Sequence, residues 1–338
     1  MYQTMNTSIY DYEMDRYRDR NDFKKFYTDL GLDGIELQLI HTQPLPDKIP
    51  AEDVIGVHTN MFPYWLDLYN GNIDKLLSEF KAWPNADKYY GGTEAGIPLN
   101  NADTAQADGH AIIYKRIRGE LDRAEALGAK YVVFHAGENN LTELWTGIEK
   151  NRDAAIIDAV CEIVNNLLEG RDYHFDFLLE NLWTGGFTFT DPKMTARLLA
   201  GIHYPQKGIM LDTGHLMHTN WDLQRENEAV DYIHRMLDEH GSLCGYIKGV
   251  HLQQSLTGDY FKKTFGPAPA VTGDFWDWHN DAMYHVYAQD NHQPWHTPRI
   301  RSLIRRIHPN YLTHEVMAWD RKALQNALAV QKKALGNI

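Results

Sequence analysis

Short apolar, β-branched runs alternate with helical patterns along the 338 residues, and this alternation restricts the fold more than any other feature. The eight strand candidates are Thr7–Tyr12, GIELQLI from Gly34, VIGVHTN from Val54, YVVFHAG from Tyr131, DFLLENL from Asp176, GIMLDTGH from Gly208, YIKGVHLQQ from Tyr246 and YLTHEVM from Tyr311. Helical patterns cover 20–30, 105–128, 151–169, 191–201, 222–240 and 320–335. Strands that alternate with helices indicate parallel βαβ units, and eight of them favour a closed barrel over an open sheet. The sequence therefore predicts an α/β fold, a (β/α)8 TIM barrel.

Two connections are too long for simple loops between a strand and a helix. Residues 61–103 follow the third strand and residues 255–298 follow the seventh, and both are rich in aromatic residues. Long loops at the carboxyl ends of barrel strands usually serve function. We therefore predict one domain over 1–338, with these two insertions as lids over the C-terminal face.

Charge and composition bear on the partner and the location of the chain. The net charge is −13 and no basic stretch is present, which disfavours a nucleic-acid surface without excluding a local groove. No apolar run is long enough for a membrane span, and the start lacks a secretory pattern, so a cytoplasmic protein is expected. Cys161 and Cys244 are expected to be reduced thiols. A homo-oligomer is an open alternative to a monomer.

Ligand-type side chains end six successive strand candidates. In chain order they are His58, His135, Glu180, Asp212 with His215, His251 and Glu315. Each follows an apolar run, at the point where a barrel strand delivers side chains to the mouth. Burying imidazoles and carboxylates together is unfavourable unless cations compensate them. This set, which lacks thiolates, therefore predicts a site for divalent metal, with zinc or manganese favoured.

The motifs LLEN, LDTGH, GVHL and THEV, in this order, resemble those of the xylose isomerase-like superfamily of TIM barrels. That superfamily includes sugar isomerases, epimerases, inosose dehydratases and endonuclease IV, and the resemblance covers roughly 30 to 335. It implies that Glu180, Asp212, His251 and Glu315 hold the metal, as the corresponding residues do in the epimerases.

A further set of residues is similar to endonuclease IV, whose cluster holds three zinc ions. The matches are His58, His135, His215, and Asp290 with His292 in QDNHQP. The resemblance thus implies from one to three ions. The chain departs from the endonuclease pattern at Gln253-Gln254, where Asn-Asp is expected, and at PWHTP, which replaces a Gly-x-Gly.

Two mechanisms are compatible with these residues. In an isomerase or epimerase, the metal would bind oxygens of a sugar or related polyol while Glu180 and Glu315 exchange a proton beside the carbonyl. His215 and Lys248 would assist electrostatically. In a phosphoesterase, two or three ions would activate water, with Glu180 bridging them.

The acidic charge and the aromatic insertions favour the isomerase on a small carbohydrate-like substrate, which is the leading prediction. The number of histidines favours the phosphoesterase, and a non-catalytic metal-binding barrel is the third alternative. Glu36 is interpreted as an ion-paired barrel residue. His218 and His314 are left out of the site, because strand alternation turns His314 away from the mouth if Glu315 points in.

Overall fold

The structure is a computed structural model, which describes residues 1–38, 44–61, 64–147, 152–270 and 273–338. Eight parallel strands form a closed barrel in which the strand Tyr2–Ser8 pairs with both Gly34–Gln38 and Tyr311–His314. The strands are Tyr2–Ser8 (β1), Gly34–Gln38 (β2), Val54–His58 (β3), Tyr131–His135 (β4), Asp176–Glu180 (β5), Lys207–Asp212 (β6), Ile247–Leu252 (β7) and Tyr311–His314 (β8). The predicted (β/α)8 barrel is confirmed.

Helices follow the strands and cover the outside of the barrel. They span Asp11–Met14, Arg20–Asp29, Leu66–Tyr69, Ile73–Phe80, Trp83–Tyr90, Ala105–Ala126, Glu143–Thr146, Asp153–Leu168, Pro192–Gly201, Thr213–His218, Glu226–His240, Gly258–Thr264, Phe275–Gln289, Ile300–Ile307 and Arg321–Leu335. Short 3-10 helices lie at Ala51–Asp53 and Gly241–Tyr246, and Gly137–Glu138 pairs with Gly185–Gly186 as a small antiparallel ribbon. Among the described residues, no helix is long and apolar enough to cross a membrane.

The first strand lies earlier than predicted. It spans Tyr2–Ser8, whereas the sequence pattern indicates Thr7–Tyr12, and Asp11–Met14 is a helical turn. The cause is a polar barrel interior at this position, where Thr4 Oγ1 donates to Thr313 Oγ1 at 3.0 Å. A strand that buries threonine inside the barrel lacks the apolar run by which strands are recognised.

The two insertions contact each other through their aromatic side chains. The rings of Phe80 and Phe275 lie 4.9 Å apart, centroid to centroid, and both side chains are buried. The Lys88 ammonium lies 4.2 Å from the centroid of the Trp276 ring. The aromatic residues of these segments therefore serve, at least in part, to pack one insertion against the other.

Lys248 lies at the opposite end of the barrel from the strand-end ligands. Its Nζ is 2.7 Å from Oδ1 of Asp176, the first residue of β5. Because Lys248 precedes His251 by three residues, it lies about 10 Å nearer the amino end of β7 and on the other face of the strand. The expectation that Lys248 assists at the mouth is wrong.

Candidate metal centre

The predicted ligands converge at the carboxyl ends of the strands. His58, His135, Glu180 and Asp212 are the last residues of β3, β4, β5 and β6. Asp212 also begins the helix Thr213–His218, where its Oδ1 accepts a hydrogen bond from the backbone of His215 at 2.7 Å. Parallel strands end at one face of a barrel, so these side chains meet.

Glu180, Asp212, His251 and Glu315, which we call the core group, surround one point. His251 Nδ1 lies 3.2 Å from Glu180 Oε1, 3.1 Å from Glu315 Oε2 and 3.9 Å from Asp212 Oδ2. One ligand atom from each of the four residues lies within 4.8 Å of the others. Zinc bonds of about 2.0–2.2 Å to nitrogen and oxygen place neighbouring ligand atoms roughly 3–3.5 Å apart, so this spacing suits one ion.

His58 and His135, the imidazole pair, face the other oxygen of Glu180. Their Nε2 atoms lie 3.0 and 3.4 Å from Glu180 Oε2, whereas Oε1 faces His251 and His215. The two oxygens of one buried carboxylate are thus divided between two sets of histidines. Glu180 is therefore shared between the core group and the imidazole pair.

His215, Asp290 and His292 form an outer group beside the core group. Asp290 Oδ2 lies 3.2 Å from His215 Nε2 and 2.6 Å from His292 Nε2. Asp290 directly follows the helix Phe275–Gln289, so the second insertion contributes this part of the site. His292 has a φ of 46°, a backbone conformation that is unfavourable outside glycine and that tends to be retained where function requires it.

The electrostatics of the site suit cations. Burial raises the pKa of Asp212 well above its ordinary value, and Asp212 Oδ2 has no hydrogen-bond partner in the described part of the chain. Burial disfavours a charged His251, but Glu315, Glu36 and Glu180 nevertheless raise its pKa well above the usual range. Desolvation by the surrounding side chains lowers the pKa of His135, although this side chain is 32% exposed, and the neutral imidazole is the form that binds metal. Divalent ions would compensate these buried carboxylates, and the residues present fit them.

Two residues outside the predicted ligand set hold ligands in place. Glu36 Oε2 accepts hydrogen bonds from His251 Nε2 at 3.0 Å and Tyr131 Oη at 2.8 Å, which directs Nδ1 of His251 into the core group. Gln253 Nε2 donates to Oδ1 of both Asp212 and Asp290 at 3.1 Å. For Gln253 the sequence offers one signal, its spacing of two from His251 in the strand predicted from Tyr246, since residues i and i+2 of a strand share a face.

The two excluded histidines differ in position. His314 Nδ1 lies 3.0 Å from Nε2 of Gln331 in the C-terminal helix, on the outer face of β8, as strand alternation predicts. His218 lies next to the outer group, with Nε2 3.8 Å from Asp290 Oδ1. His218 therefore lies beside the site, although the sequence does not predict it there.

Fold and site together define a (β/α)8 barrel with imidazole and carboxylate groups clustered at its mouth. A family model described as xylose isomerase-like TIM barrel matches residues 25–297, and the chain belongs to this family. Members of the family are enzymes, which include epimerases, isomerases and endonuclease IV.

Solved structures with the same fold share little sequence with this chain. A putative xylose isomerase from Rhodospirillum rubrum superposes with a TM-score of 0.54 at 13% identity, over 99% of this chain and 98% of that one. A D-tagatose 3-epimerase-like protein gives 0.50 at 13% identity, over 99% and 100%. Endonuclease IV from Thermus thermophilus gives 0.47 at 13% identity, over 99% of each chain. Likeness at this identity concerns the fold alone.

Proposed function

We propose that this protein is a divalent-metal-dependent phosphoesterase with more than one ion in its site. The proposal is carried by two contacts of the core group. Glu180 contacts the imidazole pair directly, and it also contacts His215, which belongs to the outer group. An isomerase that polarises one carbonyl needs only the core group. Five further ligand-type residues, all but His135 at most 12% exposed, are explained if additional ions are held there.

Each group has a role in this proposal. The core group, the imidazole pair and the outer group would each hold an ion, with Glu180 shared by the first two. Ions in these positions would supply an activated water and neutralise the charge that develops on the phosphate oxygens. The ligand set, nitrogen and oxygen without sulfur, favours zinc, with manganese as the alternative.

The surrounding residues orient the ligands and exclude bulk water. Glu36 and Gln253 fix His251 and the two aspartates, as described above. The His135 side chain is 32% exposed, whereas each of the other eight ligand side chains is at most 12% exposed. Substrate would therefore approach beside His135. The two insertions would cover the rest of the mouth, within a single domain.

A sugar isomerase or epimerase is the second candidate. It is favoured by the positions of Glu180 and Glu315, whose oxygens lie 3.2 and 3.1 Å from the same nitrogen of His251. Two buried carboxylates around one ion could remove and return a proton on a carbon beside a carbonyl. The net charge of −13 also suits a small substrate better than DNA.

The two candidate functions predict different numbers of bound ions and different effects of removing His292. We would count metal ions in unstripped protein and assay phosphate-ester hydrolysis, abasic-duplex cleavage and ketose epimerisation in parallel. The phosphoesterase predicts two or three ions per chain, and loss of an ion and of hydrolysis in His292→Ala. His174→Ala, at a 72% exposed side chain, is the matched control. One ion per chain, with epimerisation unaffected by His292→Ala, would reject the proposal in favour of the isomerase.

A further inference from the structure

Exposed aromatic side chains gather on one side of the barrel mouth. Eleven large apolar side chains are exposed in the described part of the chain, and five of them come from three segments there. Single exposed apolar side chains are ordinary on a protein surface, whereas a contiguous group calls for a partner. We call these five residues the rim patch: Tyr10 and Tyr12 after β1, Tyr287 in the helix Phe275–Gln289, and Met317 and Trp319 after β8.

Tyr287 connects the second insertion to the segment after β1. The rings of Tyr10 and Tyr12 stack at 5.6 Å between centroids, with 19° between their planes. Partial burial and the nearby Tyr287 raise the pKa of Tyr10, so the two phenols lie close together. Tyr287 belongs to the outward face of its helix, since Trp278 and His285 on the other face are buried. Three tyrosines from two segments thus share one surface.

Two hydrogen bonds hold the segment after β8 beside this surface. Arg16 Nη2 donates to the carbonyl oxygen of Ala318 at 2.7 Å, and the backbone of Met317 donates to the carbonyl oxygen of His292 at 3.1 Å. Although its neighbours are anchored in this way, the side chain of Trp319 is 99% exposed. Tryptophan is largely buried in most proteins, so an anchored segment that holds it in solvent points to a partner.

The rim patch is large enough for a stable interface between proteins. Aromatic side chains bury about 150–250 Å² each, and the four of the rim patch are between 46% and 99% exposed. With Met317 they present roughly 600 Å² of side-chain surface. A standard interface takes about 800 Å² from each partner and is enriched in Tyr, Trp and Met. A small ligand could cover only part of this area.

The charged residues beside the patch suit a second copy of the same chain. Within residues 11–20 the acidic side chains come first, at 11, 13 and 15, and the arginines follow, at 16, 18 and 20, apart from Asp19, which caps the next helix. A segment that crosses a two-fold axis runs antiparallel to its copy, so its acidic end would face the basic end of the copy. Asp15 and Arg18 are 78% and 84% exposed, and their ion pairs within the chain are long, at 3.5 and 3.6 Å.

Other partners fit the rim patch less well. Nucleic acid and anionic membranes are repelled by the exposed carboxylates of Asp11 and Asp15 and by the net charge of −13. A different protein would have to present a matching order of charges, whereas a second copy supplies it through the two-fold axis alone.

We infer that the rim patch is the centre of a symmetric homodimer interface. Tyr12 and Trp319 of each copy would pack against the rim patch of the other, and Asp15 would pair with Arg18 of the second copy. The interface would lie beside His292, and it would leave the approach beside His135 open, because β4 lies across the barrel from β8. This inference does not rest on the proposed function.

Sedimentation equilibrium of the whole chain tests the interface. The wild type should form a dimer with a dissociation constant on the order of 1 μM or lower, as standard interfaces do. Trp319→Ala and Tyr12→Ala should each raise this constant about 30-fold or more, since central aromatic residues dominate binding at such interfaces. Tyr246→Ala, at a 41% exposed ring next to the amino end of β7, is the matched control and should leave it unchanged.

A charge exchange tests whether the partner is a second copy. Asp15→Arg and Arg18→Asp, made singly, each place like charges opposite each other and should weaken the dimer about tenfold or more. The double variant exchanges the two charges, so it should restore the dissociation constant to within about threefold of the wild-type value. Circular dichroism of each variant checks that the fold is retained.

A dimer that both rim-patch variants weaken, that Tyr246→Ala leaves intact and that the double charge variant restores supports the inference. A wild-type protein that stays monomeric at about 100 μM would overturn it. So would a dimer that Trp319→Ala and Tyr12→Ala leave intact, or one that Tyr246→Ala weakens equally. A double charge variant that associates no better than the single ones would overturn the antiparallel pairing of the two copies.

Discussion

At the scale of single residues, Glu180 connects the parts of the site. Its Oε1 faces His251 and His215 and its Oε2 faces His58 and His135, all within 3.4 Å. We predict that Glu180→Gln, which keeps the shape and removes the charge, lowers metal content by at least one ion per chain. Activity should fall by about 100-fold or more, since a charged ligand is lost. Elemental analysis and steady-state kinetics measure both, and unchanged metal content with full turnover would show that Glu180 is not a ligand.

Glu36 would act on a bound metal through His251 and would contribute no ligand atom of its own. Its carboxylate accepts from His251 Nε2, Tyr131 Oη and Thr313 Oγ1. Loss of such an outer partner typically lowers metal affinity 10–100-fold. We expect Glu36→Gln to lower it by about that factor in chelator competition, with the fold retained in circular dichroism. Glu52→Gln, at a 56% exposed side chain, should leave the affinity unchanged. Equal affinities for the two variants would reject this role.

Most of the clustered residues could be predicted from single strands, whereas Asp290 and His292, which lie in the second insertion, were predicted only through the resemblance to endonuclease IV. Glu180 and Asp212 end apolar runs, and the closing of parallel strands is enough to bring them together. The interpretation of Glu36 as an ion-paired barrel residue is confirmed by its pair with His251. The identity of the partner could not be predicted, because it depends on β2 facing β7 across the closed barrel. The polar strand β1 was misplaced for a related reason, since Thr4 is satisfied by Thr313, which is 309 residues away in the chain.

At the scale of elements, the helix Thr213–His218 is packed tightly against Gln253. A Cβ added at Gly214 would lie 2.0 Å from Gln253 Nε2, and Gln253 is held in place by Asp212, Asp290 and Ser255. Gly214→Ala should therefore displace Gln253, and we predict that it lowers the metal content of the outer group.

Gly119 provides the matched control for Gly214. It lies in the helix Ala105–Ala126, and a Cβ there meets nothing within 4 Å. Gly119→Ala should leave metal content unchanged and raise the free energy of unfolding by about 0.5–1 kcal/mol. Elemental analysis and denaturant unfolding check both variants. Full metal content in Gly214→Ala would mean that Gln253 is not needed to hold the aspartates.

Buried aromatic rings join the two insertions, and we expect this contact to contribute to the stability of the fold. Phe80 and Phe275 are 1% and 2% exposed and contact each other at 4.9 Å. Phe80→Ala should lower the free energy of unfolding by about 3–5 kcal/mol. Tyr284→Ala, on the 73% exposed ring of the second insertion, should change it little. Similar unfolding curves for the two variants would contradict the packing between the insertions.

At the scale of the whole molecule, metal binding should stabilise the barrel as well as enable chemistry. The predicted ligands lie at or just after the ends of six strands and in the second insertion, so bound ions would link distant parts of the chain. An ion at about a thousand times its dissociation constant stabilises the folded state by about 4 kcal/mol. We predict that chelation lowers the thermal midpoint by several degrees and that added zinc restores it. A midpoint that is insensitive to chelation of a demonstrably metal-loaded sample would contradict this coupling.

The central claim is that more than one ion lies at the ends of the barrel strands. Crystals of unstripped or zinc-loaded protein, with anomalous differences collected on both sides of the zinc edge, test it directly. We predict one peak among Glu180, Asp212, His251 and Glu315, and a second among His215, Asp290 and His292. A third is expected between His58, His135 and Glu180 Oε2. A single peak in the core group, or none, would contradict the multinuclear site.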